Sequence, residues 1–113
     1  MQTGTDAGVV GAGIVGLSTA LALAESGVPV TLYEPGTPGA AQSGGESRIF
    51  RHGHDDPRLV ELACESRALW QAWEERFGVE LLAADGVIAL GPAAEERLAV
   101  LRRAGVKARG VDG

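Results

Sequence analysis

Cysteine is nearly missing: Cys64 is the only one in 113 residues, so no internal disulfide and no cysteine-rich metal centre can form. With no base or metal partner evident around it, Cys64 reads as an inert small packer. A reducing compartment follows, and a cytoplasmic location is expected. Positive charge is also short. Ten Lys and Arg stand against 15 Asp and Glu, a net charge of −5, and the signs are interspersed. That balance argues against nucleic acid as a partner. A basic leader is lacking too: Met1 to Gly8 carry an acid and no base before the apolar run of residues 9–24, so that run does not read as a signal peptide. A membrane span needs roughly 20 uninterrupted apolar residues. This run is shorter and broken by glycine, so no membrane partner is expected.

What is present is a core-forming composition, 45% apolar, in a chain the length of one small domain. Its opening, "VVGAGIVGLSTALALAESGVPVTLYE", reads as strand, turn, helix and strand. Ala7–Val10 form a short β run and Gly11–Gly13 a turn. A helix from Ile14 to about Ser26 places Ile14, Leu17, Leu21 and Ala24 on one face, and Gly27 stops it. Val28–Tyr33 form a second strand, with Pro29 at its start, where no interior ladder bond is lost. A strand–helix–strand of this length requires parallel strands and a crossover.

Gly11, Gly13 and Gly16 complete a G-x-G-x-x-G after a strand and at the opening of a helix, the context that gives this pattern its meaning. Gly11 permits a tight turn. Gly13 lets a pyrophosphate approach the backbone, and Gly16 lets helix and strand pack closely. The helix N-terminus offers N–H groups and partial positive charge to phosphates. Glu34 ends the second strand, where its carboxylate can accept hydrogen bonds from a ribose diol and would repel a 2′-phosphate. NADP is thereby disfavoured, while NAD and FAD remain open.

Residues 35–47, "PGTPGAAQSGGES", hold almost no large side chain and read as a loop. Arg48-Ile49-Phe50-Arg51-His52 follows. Extended, it would send the two arginines to opposite sides; as a helical turn, to one. Two surface arginines are the plainest reading of the residues alone. Asp55 or Asp56 can cap a helix with Pro57 in its first turn. Leu59, Leu62, Ala63, Ser66, Leu69, Trp70, Trp73 and Phe77 recur at helical spacing, and Gly78 ends the run. This stripe, tryptophans included, is expected to be core. Val79–Leu82 and Val87–Leu90 are expected to be short strands joined at Asp85-Gly86 as a hairpin. Another helix is expected from Gly91-Pro92 through Leu98 and Leu101 to Gly105. Residues 106–113 would open a further element.

Residues 9–34, "GGESRIFRHGH" and "GVIALGP" together resemble the N-terminal part of the FAD-dependent amine oxidoreductases, the family of D-amino acid oxidase and glycine oxidase. Within it, the resemblance is to the monomeric sarcosine oxidase and N-methyltryptophan oxidase group. It covers nearly all of this chain and only the opening of those longer enzymes. It implies an α/β, Rossmann-like FAD-binding domain, incomplete here. Residues 1–56 would form the FAD-binding βαβ unit and flavin loop, and residues 57–113 the start of a mixed α+β substrate domain. It implies that Gly11, Ala12, Gly13, Ile14, Val15, Gly16 and Glu34 hold the ADP half of FAD, and that Ser43 and Ser47 lie in the loop passing the pyrophosphate and flavin. By the same resemblance, Arg48 stands beside the isoalloxazine ring and Arg51 grips the substrate carboxylate. Guanidinium chemistry suits both roles. The implied reaction takes a hydride from the carbon next to an amine nitrogen. The imine then hydrolyses, and molecular oxygen is the acceptor that yields peroxide. The substrate class is an amine or amino acid with a carboxylate.

The chain departs from the group at Ser43-Gly44, where the sarcosine oxidases carry a histidine pair, so the resemblance does not carry sarcosine itself across. The alternatives are a dinucleotide-binding fragment without chemistry, an NAD-dependent oxidoreductase, or a non-functional remnant. These 113 residues alone are expected to be inactive and poorly soluble.

Overall fold

A computed structural model describes residues 6–46 and 48–111. The chain divides into two compact units, Met1–Arg48 and Ile49–Gly113.

The first unit begins with β1 (Ala7–Val10), continues through α1 (Ile14–Glu25) and returns in β2 (Val30–Tyr33). The two strands pair in parallel, with Ala7 opposite Val30 and Val10 opposite Tyr33. The expected strand–helix–strand is therefore present, with β2 two residues shorter at its start than the sequence suggests. Pro29 stays just outside the strand and still takes part in pairing, because its carbonyl accepts the Ala7 N–H at 2.9 Å. At the other end the Gly11 N–H donates to the Tyr33 carbonyl at 2.8 Å, which carries the ladder into the turn. Gly11 has φ +95°, a conformation that glycine adopts without strain. Helix α1 stops at Ser26, and Gly27 at φ +78° reverses the chain.

Close packing explains the third glycine of the motif. A Cβ at Gly16 would overlap the carbonyl oxygen of Gly11 and stand 3.6 Å from Val9 Cγ1. The first turn of α1 therefore lies against the turn that precedes it, and only glycine leaves room. Ala12, between them, is fully buried.

The second unit holds α2 (Pro57–Phe77) and α3 (Ala94–Arg103), packed on each other. Asp56 is the N-cap of α2: its carboxylate accepts the Arg58 N–H at 2.9 Å, with Pro57 in the first turn. Gly78 ends the helix in the left-handed conformation, φ +66°. Helix α3 has Glu95 and Glu96 in its first turn and Arg102 and Arg103 in its last, which matches the helix dipole at both ends. It starts at Ala94 rather than at Gly91-Pro92, which form a turn closed by the Ala94 N–H on the Gly91 carbonyl at 3.0 Å. Arg97 of α3 reaches Asp55 through both Nε and Nη2 at 2.8 Å, tying the approach to α2 onto α3.

Two expectations fail in this unit. The apolar stripe of α2 is not a buried core. Ala63 is its one buried position, Leu59, Leu62, Leu69 and Phe77 are exposed, and the other buried residue of the helix, Val60, lies outside the stripe. A single ten-residue helix cannot cover a stripe that runs the length of 21 residues. Trp70 and Trp73 are half-buried and meet edge to face, with ring centroids 5.4 Å apart. Cys64, beside the stripe, is likewise half-buried.

The hairpin is also absent: no strand occurs in residues 79–90 among the described residues. Gly86 does take the positive φ of a turn, +79°, but its flanks do not pair. Their donors are spent elsewhere. The N–H groups of Leu81 and Leu82 both bond Glu74 Oε1, at 3.0 and 2.8 Å, and Arg67 reaches Glu74 Oε2 at 3.5 Å. After the Gly78 reversal, the chain folds back onto the carboxylate of its own helix.

Two outcomes follow for stability. Gly16→Ala should cost about 3 kcal/mol through overpacking against Gly11, read as a lower midpoint in chemical denaturation. Glu74 is held below the ordinary carboxylate range, chiefly by the Leu82 and Leu81 N–H groups. Its contribution is therefore complete above the unfolded value near 4.5 and is lost as pH falls through the depressed folded value. Denaturation at stepped pH should show this loss in the wild type and a flatter profile in Glu74→Gln.

Candidate functional site

The site forms where β1 gives way to α1, because the G-x-G-x-x-G places a sharp turn directly before a helix N-terminus. Gly13 is the N-cap residue and makes no side-chain cap, and no acid occupies the first helical turn. Orphan N–H groups are expected there. Those of Gly13, Val15 and Gly16 have no acceptor among the described residues. The Ile14 N–H is taken: it donates to Ser43 Oγ at 2.8 Å. The same hydroxyl would lie 3.0 Å from a Cβ placed on Gly13, so the space beside that glycine is tight.

Glu34 ends β2 beside this turn. Its Oε2 accepts the Ala12 N–H at 2.8 Å, and its Oε1 accepts the Gly36 N–H at 2.9 Å. These two main-chain donors, Ala12 first, hold the carboxyl below its ordinary range against a smaller desolvation cost. Each carboxylate oxygen retains a second acceptor direction, so hydrogen bonds from a ribose diol remain available. The Ala12 carbonyl accepts the Gly39 N–H at 2.8 Å. Residues 34–43 therefore bond the turn at three points: Ala12 N–H, Ala12 C=O and Ile14 N–H.

The sequence-derived residues divide accordingly. Gly11, Ala12, Gly13, Ile14, Val15, Gly16, Glu34 and Ser43 come together in the first unit. Arg48 lies at the end of that unit, exposed, with its Nη1 2.7 Å from where a Cβ of Gly45 would stand. Arg51 is an exposed residue of the second unit. Residues 48–54 form neither strand nor helix, so neither regular geometry considered for the arginine pair applies. Ser47 lies outside the described residues. Sequence reasoning missed Gly36 and Gly39, whose contribution is a main-chain N–H. The only sequence signal for them is the Pro and Gly content that marks residues 35–39 as turns.

The donor set fits a dinucleotide diphosphate: free N–H groups at a helix N-terminus, a Cβ-free backbone and a carboxylate close by. Among the described residues no group of His, Cys, Asp and Glu could hold a metal ion. No helix among them is long and apolar enough to cross a membrane.

Comparison with known families decides the assignment. The profile of the FAD dependent oxidoreductase family matches residues 6–113. The chain belongs to that family. Two monomeric sarcosine oxidases are similar to it. That of Bacillus sp. (strain B-0618) is 35% identical over 100 residues, covering 84% of this chain and 25% of the relative. That of Bacillus sp. (strain NS-129) is 33% identical over 97 residues, covering 81% and 24%. A third relative is the methylenetetrahydrofolate–tRNA-(uracil-5-)-methyltransferase TrmFO of Nitratidesulfovibrio vulgaris (strain DP4), 38% identical over 66 residues, 58% of this chain and 12% of that protein. No solved structure matches. This member of the FAD dependent oxidoreductase family thus spans about a quarter of the length of the sarcosine oxidases it matches. The family implies an FAD-binding, Rossmann-like fold, and the parallel β1–α1–β2 unit is part of one.

Ser43 is the point at which the loop touches the helix end. Ser43→Ala should remove one hydrogen bond at an otherwise uncapped terminus and lower the stability of the first unit by about 1 kcal/mol. Thermal denaturation followed by circular dichroism checks this, and an unchanged midpoint would show that the loop adds nothing there.

Proposed function

We propose that this chain supplies the ADP-holding part of an FAD site in an oxidoreductase acting on an amine or amino acid that carries a carboxylate. The observation that supports it most is the uncapped N-terminus of α1 beside Glu34, found in a chain similar to monomeric sarcosine oxidases. Gly13, Val15 and Gly16 would present N–H groups to the diphosphate, with Ser43 at its edge, while Glu34 would receive the ribose hydroxyls. Ser47 is assigned to the same loop. When bound, FAD supplies the acceptor for a hydride from the carbon next to the amine nitrogen and delivers the electrons to molecular oxygen, releasing peroxide.

The protein's own part is placement. Arg48 is assigned a position beside the flavin ring, where a fixed positive charge favours added negative charge. Arg51 is assigned the substrate carboxylate, for which its planar, permanently charged guanidinium offers two parallel donors. The first 56 residues would serve the cofactor, and residues 57–113 would lead into the part that shapes the substrate pocket. A cytoplasmic location accords with the single thiol.

Calorimetry on the purified chain tests the cofactor assignment: FAD and ADP should bind at the same site, and NAD binding more tightly than FAD would overturn it. For the arginine, residues 6–113 can replace the matching segment of a full-length sarcosine oxidase. In that chimera, Arg51→Ala should weaken a carboxylate-bearing competitive inhibitor about tenfold or more with flavin content intact. Unchanged inhibitor affinity would refute its role.

A further inference from the structure

Glu34 is bound twice to main chain before any ligand is considered. Its Oε2 holds the Ala12 N–H and its Oε1 holds the Gly36 N–H. Ala12 is the middle residue of the turn between β1 and α1 and is fully buried. Its carbonyl is occupied as well, by the Gly39 N–H. The peptide units that join Gly11, Ala12 and Gly13 are thus fixed from both sides by the segment that follows β2. Gly11 begins this turn at φ +95°, and Gly16 lies against its carbonyl. A rotation of the Gly11–Ala12 peptide would break the Glu34 bond and turn the Gly11 carbonyl that lies against Gly16, disturbing the contact that seats the start of α1 on the turn.

We propose that Glu34 is a positioning residue for the diphosphate, setting the phosphate-holding turn through the Ala12 N–H in addition to any bond it makes to the ribose. This rests on the reading of the first unit as a dinucleotide site. One carboxylate then couples the two subsites: the group that recognises the sugar also determines where the N–H groups facing the phosphates stand. The coupling has a distinctive sign. A carboxylate near a diphosphate repels it, so removing the charge alone should tighten binding of any phosphate ligand. Loss of the turn's anchor should instead loosen it.

The test uses ADP and 2′,3′-dideoxy-ADP, which keeps the adenine and diphosphate and lacks the diol. Both are titrated calorimetrically into the wild-type chain and into Glu34→Gln. The proposal expects Glu34→Gln to weaken both ligands, dideoxy-ADP by about fivefold or more. Weakened ADP with unchanged or tighter dideoxy-ADP would show that Glu34 serves the ribose alone; it overturns the proposal and leaves the dinucleotide reading standing. Failure of the wild type to bind either ligand overturns both. A ligand-free measurement reads the anchor directly. In a pH titration of the ¹⁵N-labelled chain, the Ala12 and Gly36 amide signals should follow one shared titration that is missing in Glu34→Gln. An Ala12 amide that does not follow it overturns the proposal even if the variant binds poorly for want of folding.

Discussion

The first unit depends on how one buried peptide is satisfied. Ala12 is inaccessible to water, so its N–H and C=O need partners from the protein itself, and an unmet group of this kind is costly. Both partners come from beyond β2: the carboxylate of Glu34 and the N–H of Gly39. Strand pairing brings Glu34 to the turn, because Tyr33 closes the ladder on Gly11 immediately before it. The parallel register, the buried turn and the open helix end are therefore consequences of one another. Shifting β2 by one residue would point Glu34 to the other face of the sheet and leave Ala12 unsatisfied.

A related device recurs in the second unit. Glu74 there takes the N–H groups of Leu81 and Leu82, and Asp56 takes that of Arg58 at the start of α2. All three acids are held below their ordinary range by hydrogen bonds, main-chain donors among them. Backbone capture by carboxylates suits a chain with an excess of acid over base, since 15 Asp and Glu cannot all find a cation among ten Lys and Arg. The acids that shape this protein do so chiefly by ordering loops.

The sequence was most legible where local rules and tertiary demands agreed. The turn glycines, the helix stop at Gly27, the Asp56-Pro57 start and the Gly78 reversal each have a local cause, and each stands where the pattern placed it. The family was legible from residues 9–34 together with "GGESRIFRHGH" and "GVIALGP", because the glycine motif alone leaves NAD and FAD open. Two kinds of feature were not. Helical spacing in α2 shows which residues can share a face but not which face meets a partner; Leu59, Leu62 and Leu69 of the expected stripe are exposed, while Val60, outside it, is buried. Two short apolar runs on either side of Asp85-Gly86 suggest a hairpin, but Glu74, on the preceding helix, claims the donors of Leu81 and Leu82. Glu34 falls between these cases. Its place at the end of β2 was readable, but its grip on Ala12 was not, because a side chain reaching 22 residues back to main chain leaves no periodic trace.

The segment after β2 grips the turn through one amide, that of Gly39, and two side chains, Glu34 and Ser43, while the Gly36 amide steadies the Glu34 carboxylate. Between these contacts the loop is nearly indifferent to which side chains decorate it. Ala40, Ala41 and Gln42 are exposed and can drift without touching the grip. What cannot drift is handedness: Gly39 sits at φ +77°, open to mirror-image backbone and closed to most other residues. Evolution, or a library designer, can thus rewrite much of the chemistry of that rim while its course stays the same.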